Sequence, residues 1–485
     1  MHDELWSWNA SDLAKAIRER RVSSREAVES AVARMEAVNP HLNAVVDPLP
    51  EAALSEARAA DNALARGDAP GILHGVPVTV KINVDYAGRA TTNGVRSQAD
   101  LIAPEDGSVV RNLRAAGAIV IGRTNTPCYS MRWFTDNALH GATLNPHDKD
   151  ITPGGSSGGA GSAAAAGIGT IAHGNDIGGS IRYPAYCCGV YGLRPSSGLL
   201  PSYNPSQLSE RMIASQMMAV QGPLARSASD LSLGIEALSR HDPRDVWQVP
   251  APNLTSPEMQ KPCRVALFTD PEECAVDPEV AQAILLAAER LREAGYQVEE
   301  VPIPSISEAA HLWRMVMINE MRSGLLTQIE KNGDAAIRYA AEAFCEGVPE
   351  LDRTGFLQAL ASEARFCATG SCFLKRIHSC SRLSAGASRI VWARTRRTRP
   401  GSTVSLQNSR RPRCHRSLVC RDFPSRSPSM VRGLSAFSLL PTASMTGAFL
   451  RPPTPWNGLA VRSRQLSRCI EAMACFPWLV RWNPS

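Results

Sequence analysis

Two glycine-flanked serines and one lysine carry the chemistry of this chain. Ser156 and Ser157 lie inside the run Gly154-Gly155-Ser156-Ser157-Gly158-Gly159, and Ser180 follows Gly178 and Gly179, 24 residues after Ser156. A serine nucleophile needs an exposed hydroxyl, a group that takes its proton, and N–H donors aimed at the developing oxyanion. Glycines ahead of Ser180 suit the last need, because a chain without Cβ atoms can turn its amides toward a substrate. The N–H groups of Ile177, Gly178, Gly179 and Ser180 are the candidate donors. Lys81 closes the apolar run Val76–Val80 and is one of five lysines in residues 1–366. Most lysines are surface charges, and this placement favours a specific role. Each feature also has a simpler reading: a flexible Gly/Ser linker, a serine capping a helix, a turn serine bonded to its own backbone.

Taken together the segments resemble the amidase signature family of Ser-cisSer-Lys amidohydrolases. The resemblance rests on Asp176-Ile177-Gly178-Gly179-Ser180-Ile181-Arg182 with Pro184, on Cys188-Gly-Val-Tyr-Gly-Leu-Arg194-Pro195, on Gly75-Val-Pro-Val-Thr-Val-Lys81, and on Ala116–Pro127, in the family's order. It covers about residues 10–366. It implies that Ser180 is the nucleophile, Ser156 the bridging serine after a cis peptide bond, and Lys81 the general base. Ser157 then supports the loop, and Asp176 and Arg182 brace the nucleophile turn, as a mutual ion pair. A free lysine titrates near 10.4, and burial lowers that value, so a desolvated Lys81 can take a proton from Ser156, which takes one from Ser180. One departure is Ile82, where many relatives have Asp; Asn83 after it matches.

Other chemistries fare less well. A thiol nucleophile at Cys187 or Cys188 has only His173 nearby, and His74, His140 and His147 read as loop histidines. No histidine pair or acidic cluster has metal-ligand spacing, so neither a metal nor a cofactor is expected. Thirteen cysteines without a Cys-x-x-Cys spacing indicate neither a disulfide framework nor a zinc ribbon.

The elements that must position these residues follow from periodicity. Residues 11–38 carry helical spacing, with Ser23-x-x-Glu26 as a capping box, and residues 51–66 are again helical. Gly75–Val80 reads as a buried strand, 105–116 as a helix and Ala118–Ile121 as a strand. Gly158–Gly167, rich in alanine and glycine, fits a helix packed close against a sheet. Helix and strand alternate on through Ser227–Leu238, Val265–Phe268, Pro278–Ala294 and Gln297–Val301. The expected fold is α/β: an amidase-signature mixed sheet surrounded by helices (71–366) behind a helical N-terminal region (1–70).

The net charge of +6 hides a split: residues 1–366 carry −12 and residues 367–485 carry +18. The tail from about Cys367 holds 19 arginines, only two acids, and seven of the thirteen cysteines. Disordered basic tails avoid Cys and Trp, and folded domains need more acids, so this Arg/Ser/Pro/Cys-rich composition reads as out-of-frame translation. A basic interaction tail is the alternative, although nucleic acid is not the favoured partner. No apolar run spans a membrane and the start lacks a secretory pattern, so a cytoplasmic protein is expected.

The expected activity is hydrolysis of a small-molecule carboxamide to carboxylate and ammonia or amine, through a Ser180 acyl-enzyme. The glutamine-hydrolysing component of a tRNA-dependent amidotransferase is the alternative. Such proteins carry Gln after Ile-Arg and Thr-Asp-Thr before the glycines; here stand Tyr183 and Asn175-Asp176-Ile177. An inactive frameshifted product is the third reading, and a homodimer is left open. Met131-Arg-Trp133-Phe134 after Tyr129 is the candidate pocket wall, with core packing an equal reading for the two rings.

Overall fold

A computed structural model describes residues 4–207, 210–249, 264–268, 278–302 and 305–378, with the short stretches 434–437 and 481–482. The chain opens with α1 (Ala10–Arg18) and α2 (Ser24–Leu42). The expected capping box is present: Glu26 N donates to Ser23 Oγ at 3.1 Å and Ser23 N to the Glu26 carboxylate at 2.8 Å. Such a cap contributes roughly 0.5–2 kcal/mol. β1 (Val45–Pro48) and α3 (Pro50–Arg66) follow, then β2 (Pro77–Lys81), α4 (Ser108–Ala115) and β3 (Ile119–Thr124). A hairpin of β4 (Asp136–Asn137) and β5 (Gly141–Ala142) precedes α5 (Gly158–Ala166), β6 (Ile171–Asp176), α6 (Arg182–Cys188) and β7 (Tyr191–Leu193). α7 (Ile213–Met218), β8 (Val220–Ala225) and α8 (Ala228–Leu238) complete the central body.

The sheet runs β1-β3-β2-β6-β8-β7, parallel at β3-β2-β6 and antiparallel elsewhere, so it is mixed as expected. Side chains alternate faces along a strand. Val78, Val80 and Val120 therefore pack with Val110 and Leu113 of α4 and Ile235 of α8, while Ile119 and Ile121 face Val28 and Met35 of α2 and Ala163 of α5. The same alternation places Lys81 opposite Val80, toward α5. That helix is buried almost throughout, and its alanines and glycines admit the close approach. β1 lies inside the N-terminal region read as helical, yet pairs with β3 through Val45 and Thr124.

Beyond the central body come β9 (Arg264–Leu267), α9 (Pro278–Glu293) and β10 (Gln297–Glu300), with β9 and β10 parallel in a two-stranded sheet. Four helices follow: α10 (Ile306–Arg322), α11 (Leu325–Asn332), α12 (Ala335–Cys345) and α13 (Arg353–His378). α13 continues through residue 367, where the composition changes. Two short strands, β11 (Leu434–Phe437) and β12 (Arg481–Trp482), extend the main sheet beyond β7. The rest of the tail, on which the frame-change reading bears, lies outside the described residues.

Candidate active site

The C-terminal end of β2 delivers Lys81 to the loop that enters α5. The side chain is wholly buried. Its Nζ lies 2.7 Å from Ser156 Oγ, 2.8 Å from Asn175 Oδ1 and 3.2 Å from Ser157 Oγ. Burial lowers the amine's pKa well below the ordinary lysine value, against a smaller opposing pull from Asp176. Beneath it, His173 Nδ1 accepts from the Lys81 amide at 3.5 Å, so its proton sits on Nε2, which donates to Gln221 Oε1 at 2.9 Å. Burial holds this imidazole down at about 3, so it is neutral at ordinary pH.

The Gly155–Ser156 peptide bond is cis. Thr126 Oγ1 donates to the Ser156 carbonyl at 3.0 Å, and Thr135 Oγ1 to the Gly154 carbonyl at 2.9 Å. Gly155 is required by close approach. A Cβ there would lie 2.4 Å from the Arg132 carbonyl oxygen and 2.7 Å from the Phe134 nitrogen. The strap 132–134 thus crosses directly over the serine loop. Its Trp133 Nε1 donates to the Gly178 carbonyl at 3.1 Å, and its ring meets Phe344 of α12 edge-on, centroids 6.2 Å apart.

Ser180 stands just before α6, with its carbonyl accepting from Ser157 N at 3.2 Å, so the two serine loops touch. It is 8% exposed, and its hydroxyl makes no hydrogen bond among the described residues. No side chain caps α6, so the helix-cap reading of Ser180 has no support. The turn before it is shaped by Asp176. Gly179 takes φ of +100°, a conformation that favours glycine, and donates its N–H to Asp176 Oδ1 at 2.9 Å. That donor, one of four candidates for an oxyanion, is therefore turned inward. The N–H groups of Ile177, Gly178 and Ser180 have no partner among the described residues.

Asp176 and Arg182 form the ion pair, at 2.8 Å, and Arg194 Nε approaches the same carboxylate at 3.6 Å. Burial alone would raise the Asp176 carboxyl; the charges of Arg182 and Arg194 and the bonds from Arg182 outweigh it and hold the group well below the usual carboxylate range. Arg194 is itself pushed down to about 10 by burial.

The competing nucleophiles sit elsewhere. Cys188 Sγ donates to the Pro153 carbonyl at 3.4 Å, and burial raises Cys187 to about 12 and Cys188 well above the ordinary thiol value. Both are held as thiols, and the ring nitrogens of His173 are engaged by Lys81 N and Gln221 Oε1 instead. The side chains of His74, His140 and His147 bond to Ala60 O, Thr92 Oγ1 and Cys188 O. Among the described residues no group of three His, Cys, Asp or Glu could hold a metal.

Local pattern singles out none of Thr126, Thr135 and Asn175 as site residues. Asn175 stands out in the sequence only as a departure from Thr-Asp-Thr. Its contact with Lys81 joins residues on two strands that neighbour only in the folded sheet.

A mixed α/β sheet with a glycine–serine loop, a second serine turn and a buried lysine brought together on it defines the amidase signature class. The chain belongs to the Amidase family, whose model matches residues 26–353. It is 54% identical over 316 residues to indoleacetamide hydrolase of Bradyrhizobium diazoefficiens, a match covering 65% of this chain and 60% of that protein. To the A-type subunit of glutamyl-tRNA(Gln) amidotransferase from Moorella thermoacetica it is 37% identical over 327 residues, 66% of each chain. The crystal structure of a bacterial aryl acylamidase of the amidase signature family superposes with a TM-score of 0.65 at 25% identity, over 76% of this chain and 77% of that one. The chain thus spans about three-fifths of the length of the indoleacetamide hydrolase, 60% by the aligned part.

Proposed function

We propose that this protein hydrolyses a carboxamide through an acyl-enzyme on Ser180. The observation that carries the reading is the wholly buried Lys81 amine, 2.7 Å from Ser156 Oγ, with Ser180 on the adjoining loop. A neutral Lys81 takes the Ser156 proton as Ser156 takes that of Ser180, and Ser180 Oγ attacks the amide carbon. The N–H groups of Ile177, Gly178 and Ser180 receive the oxyanion. Collapse of the tetrahedral intermediate breaks the C–N bond, and the relay returns its proton to the departing ammonia or amine. Water then cleaves the ester by the same route, leaving the carboxylate.

The acyl group lies beside an apolar border. Ile177, Met212, Met218, Trp313 and Phe356 all pack against the buried cluster of Ala214, Val316 and Met317, and Trp133 overhangs Gly178. With the 54% identity to indoleacetamide hydrolase, this favours a primary amide bearing an aromatic acyl group, indoleacetamide being the first to test. Tyr183 in place of Gln favours a stand-alone hydrolase over an amidotransferase component. The described cysteines are free thiols, which suits the cytoplasm.

The test is ammonia release by the purified chain from indoleacetamide, simple aliphatic amides and glutamine, with Ser180→Ala as control. Release from indoleacetamide that Ser180→Ala abolishes is expected. A folded chain that hydrolyses none of these amides, or a Ser180→Ala variant as active as the parent, overturns the reading.

A further inference from the structure

We propose that Asn175, locked by Asn83, is a positioning residue for Lys81: it holds the amine so that its lone pair faces Ser156, and supplies a polar partner that adds no charge. This rests on the reading of Lys81 as the base. The proton count is what carries it. Ser130 Oγ gives its one proton to Asn93 Oδ1 at 2.6 Å or to Thr126 Oγ1 at 2.9 Å, so on either count it accepts from Asn83 Nδ2 at 3.0 Å. Asn83 Oδ1 is then turned to Asn175 Nδ2, which donates to it at 3.0 Å. That leaves Asn175 Oδ1, an acceptor only, facing Lys81 at 2.8 Å. Ser157 gives its proton to the Asn175 carbonyl at 3.3 Å, so toward Lys81 it too can only accept. A neutral amine has two N–H groups and one lone pair. With the two N–H groups bound to Asn175 and Ser157, the lone pair is left for the Ser156 hydroxyl.

The uncharged character of Asn175 matters because no carboxylate pairs with Lys81 among the described residues. The position after the lysine is Ile82, a buried apolar residue. Of the titratable groups around Lys81, Asp176 on β6 is engaged by Arg182 and Arg194, and His173 on β6 touches the backbone amide. Arg123 on β3 is turned to Asp47 and to the Val84 carbonyl, and α5 carries no titratable residue. A carboxylate in place of the Asn175 amide would sit against the amine and favour its protonated form.

The experiment is the pH profile of kcat/KM for the full chain, for Asn175→Asp and Asn83→Asp, and for Lys81→Met as reference. Asn175→Asp is expected to move the ascending limb upward by about 1–3 pH units, with tenfold or greater loss on the original limb and recovery at higher pH. Asn83→Asp, one amide further away, is expected to move it less in the same direction, and decides alone where Asn175→Asp does not fold. Profiles superimposable on the parent, or activity lost at every pH, overturn the role of Asn175 while leaving the base in place. A parent without an ascending limb, or Lys81→Met at the parental rate, overturns the base itself and the proposal with it.

Discussion

Arg182 holds Asp176 in a two-pronged pair, Nε to Oδ2 at 3.0 Å and Nη2 to Oδ1 at 2.8 Å. The same carboxylate accepts the backbone N–H groups of Gly179, Ile181 and Arg182. One buried acid thus templates the whole turn that presents Ser180, and Arg182 keeps that acid ionised away from water.

Asp176→Asn should therefore unfold the turn rather than merely weaken it. Removing one partner leaves Arg182 and Arg194 buried without their counter-charge, a loss of about 3–5 kcal/mol. Denaturant titration of parent and variant measures it, and a difference below about 1 kcal/mol would count against the template role.

The pH dependence of stability carries a definite sign. Asp176 is depressed in the folded state, so its contribution is present above its unfolded value of about 3.9 and is lost as pH falls below that toward the folded value. Lys81 is lowered as well, so between its folded and unfolded values the unfolded chain binds the extra proton and stability rises with pH. Melting temperature against pH should fall on the acid side for the parent, and Asp176→Asn should flatten that limb.

Ser180→Ala should reduce hydrolysis by about a thousandfold or more while changing stability by less than about 0.5 kcal/mol, because it removes the nucleophile and little volume. Ser156→Ala and Lys81→Met should be impaired for want of a proton path. Mass spectrometry after addition of a serine-directed reagent should find the adduct on Ser180 in the parent and none in Ser180→Ala.

Trp133→Phe keeps the ring beside Phe344 and loses the hydrogen bond to the Gly178 carbonyl. At about 0.5–1.5 kcal/mol for such a bond, kcat should fall roughly 2- to 12-fold with KM little changed. A change confined to KM would assign the indole to substrate contact instead.

The tail yields a prediction about its coding DNA. Read in one of the other two forward frames from about codon 366, it should regain acids, helical and strand periodicity, and a late glycine-containing block. The frame-corrected chain should be more soluble and more active than this one: among the described residues β11 pairs with β7 through just Gly192 and Leu193, and an α/β sheet without full terminal strands exposes an apolar face and unpaired edge groups. Two other frames without family-like sequence, or cooperative folding of residues 367–485 as they stand, would sink this reading.

The family and the polar residues of its two serine loops are legible in the chain itself, because glycine spacing and charged neighbours are local properties. So is the rhythm of elements: the Ser23–Glu26 box opens α2 and the alanine-rich 51–66 stretch becomes α3, since capping and periodicity act within a few residues. What tertiary structure alone decides is direction. The parallel pairing of β2 with β6 brings Lys81 beside Asn175, 94 residues away along the chain, and no local pattern signals that meeting. The inward turn of the Gly179 N–H depends on where the Asp176 carboxylate lies in space. The lowered pKa of Lys81 depends on burial from all sides at once, and solvent exclusion is a property of the packed whole.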